Sequence, residues 1–170
     1  MTTQQDLLIQ EAAAIARHVA VETDMQKVWK QADAAFDRII GHRMFTVLRY
    51  EAETGKVWRL YTSNPADYPV GGFKVMGPTP WGDLVLKQGQ PFVGKDADAV
   101  RWAYPDHETI IGLGFESALN IPMCVAGKTL GTINLTHVAG HYQERHVRDA
   151  SVLAACLTPL CMHSNSSANY

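Results

Sequence analysis

The sequence predicts an α+β domain in which helices pack on one face of an antiparallel sheet. Three observations support this fold class: helical periodicity at both ends of the chain, two pairs of β-forming runs joined by short turns, and an irregular middle rich in Gly and Pro. Amphipathic helices beside hairpins bury their apolar stripes by packing on the apolar face of the sheet. We expect one domain over residues 1–163, followed by a disordered polar tail at residues 164–170.

Both ends of the chain have helical spacing. Residues 4–20 are rich in Ala and predict the first helix. The second begins at a capping box, Thr23-Asp24-Met25-Gln26, and continues as one apolar stripe until Gly41 ends it. Residues 144–162 predict a single C-terminal helix.

The first hairpin and the middle of the chain follow in order. Residues 44–62 predict two strands around a short loop that contains Gly55. Residues 68–82, YPVGGFKVMGPTPWG, are too broken for a helix interior and too aromatic for a plain linker; we call them the roof segment. A short helix over residues 81–87, a brief strand at 91–93 and helical turns over 96–112 come next.

The second hairpin spans residues 117–137 and carries a polar face. A three-residue turn at residues 126–128 pairs Val125 with Thr129 and sets Asn120 opposite Asn134. The apolar positions then share the other face of the ribbon. Amides and hydroxyls fill the polar face, which consists of Asn120, Thr132, Asn134 and Thr136.

Composition makes several partners poor candidates. The chain is 46% hydrophobic and 19% charged, with a formal net charge of −2, so it has no broad positive field for nucleic acid or acidic membranes. No run approaches the roughly 18 apolar residues that cross a bilayer, and the N-terminus lacks the basic start of a signal peptide. We therefore expect a cytoplasmic protein.

The run TPWGDLVLKQGQPFVG, followed by GLGFESALNIPMCVAGKTLGTINLTH, resembles the second half of a GAF domain. With the leading helices and the first hairpin, the resemblance covers about residues 5–160, nearly the whole chain, so we expect a stand-alone GAF domain, which departs from the family's usual place in larger proteins. It also implies helices on one side of the sheet and, on the other, a small-molecule pocket covered by the roof segment. The matched positions are Gly82, Gly89, Pro91, Ser117, Pro122, Gly127, Gly131 and Leu135.

GAF domains bind cyclic nucleotides, tetrapyrroles, haem, amino acids or aromatic acids, usually within larger sensor proteins. The resemblance therefore implies a sensor-type domain that takes part in signal transduction. GAF domains also often dimerise, so we expect a homodimer formed through the first and last helices. No particular cofactor is indicated.

On this layout the polar face of the second hairpin looks toward the roof segment. Gly71 and Gly72 allow the backbone to approach a ligand, Tyr68 and Trp81 offer flat apolar surface with a polar tip, and Lys74 can meet an anionic group. Such a pocket suits a small aromatic or carboxylated molecule. The alternatives are that Trp81 only caps the core and that Lys74 is simply solvated.

A second lining comes from residues 101–108, a dense group of aromatic, acidic and imidazole side chains. The predicted ligand contacts are Tyr68, Lys74, Trp81, Trp102, Tyr104, His107, Asn120 and Asn134. An alternative function is a small enzyme in which His107 moves a proton beside Asp106 or Glu108. Equally, Asp106 caps a helix and His107 is exposed.

Metal and thiol chemistry are both weak candidates. His137, His141 and Glu144 have a spacing that can bind zinc or iron, although capping and surface histidines are the default. The enzymatic branch of the family, free methionine sulfoxide reductase, uses cysteines above the pocket, and this chain has none between residues 64 and 115. We expect small buried apolar roles for its three cysteines, Cys124, Cys156 and Cys161, the last two on one helix.

Overall fold

The computed structural model describes residues 3–162, so the predicted tail at residues 164–170 lies outside the described residues. It confirms the α+β class and the predicted placement of helices and strands. No helix in the described range has the length and apolarity that crossing a membrane requires. The elements are α1 (Gln4–Val21), α2 (Met25–Ile39), β1 (Met44–Glu51), β2 (Lys56–Thr62), β3 (Lys74–Val75), a π-helix (Gly82–Lys87), β4 (Phe92–Gly94), α3 (Ala97–Ala103), α4 (His107–Gly112), β5 (Ser117–Val125), β6 (Lys128–His137), α5 (Arg145–Leu157) and α6 (Pro159–Met162).

The sheet has six strands in the order β3-β2-β1-β6-β5-β4, and every neighbouring pair is antiparallel. The central contact joins β1 to β6, where Arg49 faces Gly131. A Cβ at Gly131 would overlap the carbonyl oxygen of Leu48 and crowd Met123, so only glycine allows the two strands this approach.

One face of the sheet and the helices α1, α2 and α5 enclose the main core. Phe45 and Val47 of β1 and Ile133 and Leu135 of β6 are fully buried there against side chains such as Phe36 of α2. Apolar side chains alternate along the strands and recur about every 3.6 residues along the helices, as the sequence predicts, and these two apolar surfaces pack together.

Residues 63–116 cover the opposite face of the sheet and pack against it in two smaller hydrophobic clusters. One gathers around the π-helix, and the other lies near the start of β1. The sequence predicts this cover but not β3, a two-residue strand within the roof segment that pairs with β2 at the edge of the sheet. The clusters consist of Val57, Trp81, Val85, Leu86, Phe92, Ala103 and Ala118, and of Met44, Tyr68, Val100, Ile110 and Phe115.

Helix α2 is capped one residue later than the sequence predicts. The N-cap is Asp24, whose side chain accepts a hydrogen bond from the Gln26 amide at 3.0 Å, so Thr23 does not form the expected capping box. The Glu22 carboxylate accepts from the amides of Thr23 and Asp24 instead, at 3.0 Å each. The amides of Thr23 and Asp24 therefore already have their acceptor, the Glu22 side chain, in the turn before α2.

The turn of the second hairpin is also different from the prediction. It has two residues, Ala126 and Gly127, both with positive φ (50° and 76°), which is the geometry of a type I′ turn. A register shift after Met123 then adds one residue to β6 and restores the pairing of Asn120 with Asn134. The predicted register is thus correct although the predicted turn is wrong.

The C-terminal helix is broken rather than continuous. Helix α5 ends at Leu157, and α6 begins at Pro159, which has no amide hydrogen to continue the hydrogen-bond ladder. Cys156 and Cys161 consequently lie on different helices, contrary to the expectation of one helix.

Candidate functional site

Asn120 is the centre of a hydrogen-bonded cluster under the covering residues. Its Oδ1 accepts from the Trp81 Nε1–H at 2.9 Å and from the Tyr104 hydroxyl at 2.6 Å. Its Nδ2 donates to Asn134 Oδ1 at 2.8 Å, and Asn134 in turn donates to the Thr46 hydroxyl at 3.3 Å. The structure brings four predicted contacts together, but their polar atoms are bonded to one another.

A hollow opens beside this cluster, between the roof segment and strands β1 and β2. Its volume is about 230 Å³. Gly71 and Gly72 have φ of 109° and 68°, a conformation that favours glycine, and residues 69–75 are all exposed. The hollow is lined by Leu48, Val57, Arg59, Gly71, Gly72, Phe73 and Lys74.

Four lining residues are not among the residues predicted from the sequence, namely Leu48, Val57, Phe73 and Arg59, and only Arg59 of these is charged. Its Nη1 donates to the Pro69 carbonyl at 2.9 Å, and its guanidinium lies 5.1 Å from the ring centre of Tyr68. Its Nε is buried without a partner, and within residues 3–162 the side chain forms no salt bridge. Burial lowers the pKa of Arg59, but an arginine stays charged at neutral pH.

Most of the unpartnered buried polar atoms lie on this side of the sheet. Residues 3–162 contain four buried side-chain atoms without a hydrogen bond, and three of them belong to Arg59, Thr132 and Thr136. Thr132 pairs across the sheet with Leu48, which lines the hollow. Buried polar groups in proteins normally have partners, so these three atoms mark a face with unused hydrogen-bonding capacity.

Tyr68 contacts both Arg59 and Asp106. The Tyr68 hydroxyl donates to Asp106 at 3.4 Å, and burial and the nearby carboxylate raise the pKa of Tyr68 to about 12. His107 contacts the Tyr104 carbonyl through Nδ1 at 2.9 Å. Within residues 3–162 no hydrogen bond joins His107 to Asp106 or Glu108, so the catalytic role of this group stays a prediction.

Trp102 does not line the hollow. It is 47% exposed, and its ring stacks on Phe92 with the ring centres 5.4 Å apart. Its predicted contact with a ligand has no support from its position.

Two of the three candidate metal ligands, His137 and His141, contact each other through stacked rings rather than through their ring nitrogens. His137 and His141 stack with ring centres 3.7 Å apart, and His141 Nε2 lies 2.9 Å from the Ile40 carbonyl. Burial and then His141 lower the pKa of His137. Glu144 is exposed at the start of α5, and no three His, Cys, Asp or Glu side chains of residues 3–162 are placed to hold a metal.

The three cysteines are free, and none lies in the roof segment. Cys161 is buried, which raises its pKa to about 12, and Cys156 is half-buried. Cys124 is exposed near the hairpin turn, so the prediction that all three are buried apolar residues is wrong for this one. Cys124 is one of the last two residues of β5, both of which are exposed next to the turn.

A separate polar cluster lies on the helical side. Asp33 of α2 accepts from the Tyr61 hydroxyl at 2.8 Å and contacts His42 Nε2 at 2.8 Å. Burial acts to lower the pKa of His42, but the hydrogen bonds and charge of Asp33 outweigh it and raise that pKa above its usual value. A β-bulge after Val47 turns Tyr61 toward this side.

Comparison with known proteins identifies the fold. The sequence matches no protein-family model, and no curated protein sequence is significantly similar. The structure resembles the GAF domain of a phosphoenolpyruvate-protein phosphotransferase from Acinetobacter, with a TM-score of 0.74 and 13% identity over 99% of each chain. The corresponding domain from Coxiella burnetii gives 0.69 and 18% identity over 89% of this chain and 90% of that one.

Free methionine-R-sulfoxide reductase from Neisseria meningitidis, solved with its substrate, is also similar: its TM-score is 0.61 at 17% identity, over 92% of this chain and 86% of that one. The chain therefore has the GAF-domain fold, as its sequence resemblance indicates. At these identities the likeness shows the fold alone.

Proposed function

We propose that this GAF domain binds a small aromatic or carboxylated molecule in the hollow between the roof segment and strands β1 and β2, and that it acts as a sensor. The observation that carries the proposal is the unpartnered buried Nε of Arg59, a residue that lines the hollow. A ligand with an acceptor group would satisfy this donor, whose isolation costs about 1–3 kcal/mol.

The lining suits a small amphipathic ligand. Leu48, Val57 and Phe73 provide apolar walls, whereas Arg59 and Lys74 provide positive charge. A volume of about 230 Å³ is below the range of roughly 300–1,000 Å³ that drug-sized ligands occupy, so we propose a compact metabolite.

The residues predicted from the sequence take different places in this proposal. Lys74 contacts the ligand directly, and Tyr68 orients Arg59 by stacking under its guanidinium. The cluster of Trp81, Tyr104, Asn120 and Asn134 forms the adjoining wall and keeps the roof segment attached to the sheet. Contacts from Trp102 and His107 remain predictions.

The assembly and the cellular location are parts of the same proposal. Helices α1 and α5 pack together and leave Ile9 63% and Val152 41% exposed, which supports a homodimer formed through these helices. The three cysteines are all free, as is usual in a reducing compartment, which supports a cytoplasmic domain. We propose that residues 1–163 form a single folding unit.

Blocking the hollow tests the function. Leu48→Trp enlarges a side chain of β1 that lines the hollow. Leu60→Trp makes the same change on β2, at a residue that packs against the main core on the other face of the sheet. A metabolite library is screened by thermal shift, and each hit is measured by calorimetry on both variants after circular dichroism confirms that they are folded. We expect a ligand that binds the unmodified protein and Leu60→Trp but loses at least about tenfold in affinity for Leu48→Trp. Equal binding to all three proteins would contradict the location.

A further inference from the structure

We infer that the hollow selects for a carboxylate, which the guanidinium of Arg59 binds through its Nε edge. This inference rests on the proposed function and adds the chemical class of the ligand. Its basis is the one hydrogen bond that the Arg59 side chain forms and the donors that it leaves without an acceptor.

Arg59 lacks an acidic partner although its Nε is buried, unlike three arginines of the described chain that are paired. Arg38, Arg101 and Arg148 each contact a carboxylate at 2.6 to 2.8 Å. Asp106 favours the charge of Arg59 electrostatically but lies beyond salt-bridge distance and accepts from Tyr68. A partly buried cation without a counter-ion is costly, and an anionic ligand would offset that cost.

The free donors of Arg59 form one edge of its planar guanidinium. Nη1 is engaged by the Pro69 carbonyl, which leaves Nε and Nη2 without hydrogen bonds among residues 3–162. The same edge of Arg38 binds both oxygens of Glu11, Nε to Oε1 at 2.7 Å and Nη2 to Oε2 at 2.8 Å. A ligand carboxylate would bind Arg59 in a geometry that the protein already uses elsewhere, once the covering residues open enough to expose the buried Nε.

The orientation of Arg59 is fixed before any ligand arrives. The carbonyl of Pro69 holds one end of the guanidinium, and the ring of Tyr68 lies 5.1 Å from it. Both residues precede the glycines of the roof segment, so the segment that covers the hollow also positions its cation. Such preorganisation reduces the entropy lost on binding.

The walls favour a carboxylate attached to an apolar body over a free phosphate. Leu48, Val57 and Phe73 offer apolar surface that a phosphate ion cannot use. Lys74 lines the opening and adds a second, exposed positive charge. The planar edge of an arginine matches a planar carboxylate, whereas a lysine acts as a point charge.

The test compares acids with their neutral amides on the unmodified protein. Benzoate and phenylacetate are titrated by calorimetry beside benzamide and phenylacetamide, with inorganic phosphate as a further probe. We expect at least one acid to bind at least about tenfold more tightly than its amide, a difference of about 1.4 kcal/mol. Phosphate should bind more weakly than that acid.

Variants then locate the effect. Arg59→Gln should weaken binding of the acid at least about tenfold, and Arg59→Lys should retain part of it. Arg49→Gln is the matched control, because Arg49 also lies 5.1 Å from an aromatic ring centre, that of Trp58, but does not line the hollow. It should bind the acid normally.

The outcomes separate this inference from the proposed function. Equal binding of acid and amide, or normal binding by a folded Arg59→Gln, overturns the carboxylate assignment while Leu48→Trp still blocks binding. Phosphate binding without acid binding also overturns it. If neither acid binds at millimolar concentration, the inference fails, and the library screen with Leu48→Trp alone decides the proposed function.

Discussion

Replacing Trp81 with alanine should destabilise the fold as well as disturb the wall beside the hollow. Trp81 is only 4% exposed and packs in the cluster around the π-helix with Val85, Leu86 and Phe92. Its indole N–H also donates to Asn120 at 2.9 Å. Truncation of a buried Trp to Ala costs about 3–5 kcal/mol, a large part of the roughly 5–15 kcal/mol that stabilises a typical domain.

Two further variants divide this effect into its parts. Trp81→Phe keeps a ring but removes the N–H, which leaves Asn120 Oδ1 with the Tyr104 hydroxyl alone; we expect a loss of about 1–2 kcal/mol. Trp102→Ala removes a tryptophan that is 47% exposed and should cost about 1 kcal/mol or less.

Urea unfolding followed by circular dichroism gives the free energies of unfolding for these variants. The reasoning is refuted if Trp81→Ala loses less than about 1 kcal/mol, or no more than Trp102→Ala. Such a result would mean that the indole does not contribute to the core and that its placement against Asn120 is incorrect.

Three other predictions follow from the packing, the charges and the exposed helices. Gly131→Ala should force β1 and β6 apart and cost at least about 1–3 kcal/mol in urea unfolding, whereas Gly112→Ala, with open space at its Cβ, should be neutral or slightly stabilising. Because the pKa of His42 is raised in the folded state, its stabilising contribution is complete below the unfolded pKa near 6.5 and is lost as pH rises through the folded pKa. His42→Gln should therefore cost more stability at about pH 6 than at about pH 8, and an equal loss at both would contradict the ion pair. If α1 and α5 form a dimer interface, Ile9→Glu and Val152→Glu should give monomers in light scattering, whereas an unmodified protein that is already monomeric would rule the interface out.

The parts of the fold that follow from local periodicity could be predicted from the sequence. The apolar stripe of α2 and the alternation in β6 are repeated signals, so small errors at a cap or a turn do not affect them. The sequence correctly predicts Asn120 opposite Asn134 although it predicts the wrong turn, because the need to keep apolar residues on one face fixes the register.

The candidate site follows less directly from sequence patterns than the fold does. Alternation within KVWRLYT places Arg59 on the same face as Val57, and this parity was the available signal for a cation over an apolar surface. Whether Trp81 and Asn120 are free for a ligand or bonded to each other depends on contacts between residues 39 positions apart. A sequence pattern defines shared faces, but it does not define which of their polar groups already have partners.

Native mass spectrometry of the protein purified from its own host detects a ligand retained in the hollow, because the ligand adds its mass to the folded chain. We expect an added mass for the unmodified protein and for Leu60→Trp, and no added mass for Leu48→Trp. An unmodified protein that carries no added mass, or one whose added mass persists in folded Leu48→Trp, would contradict a binding site under the roof segment.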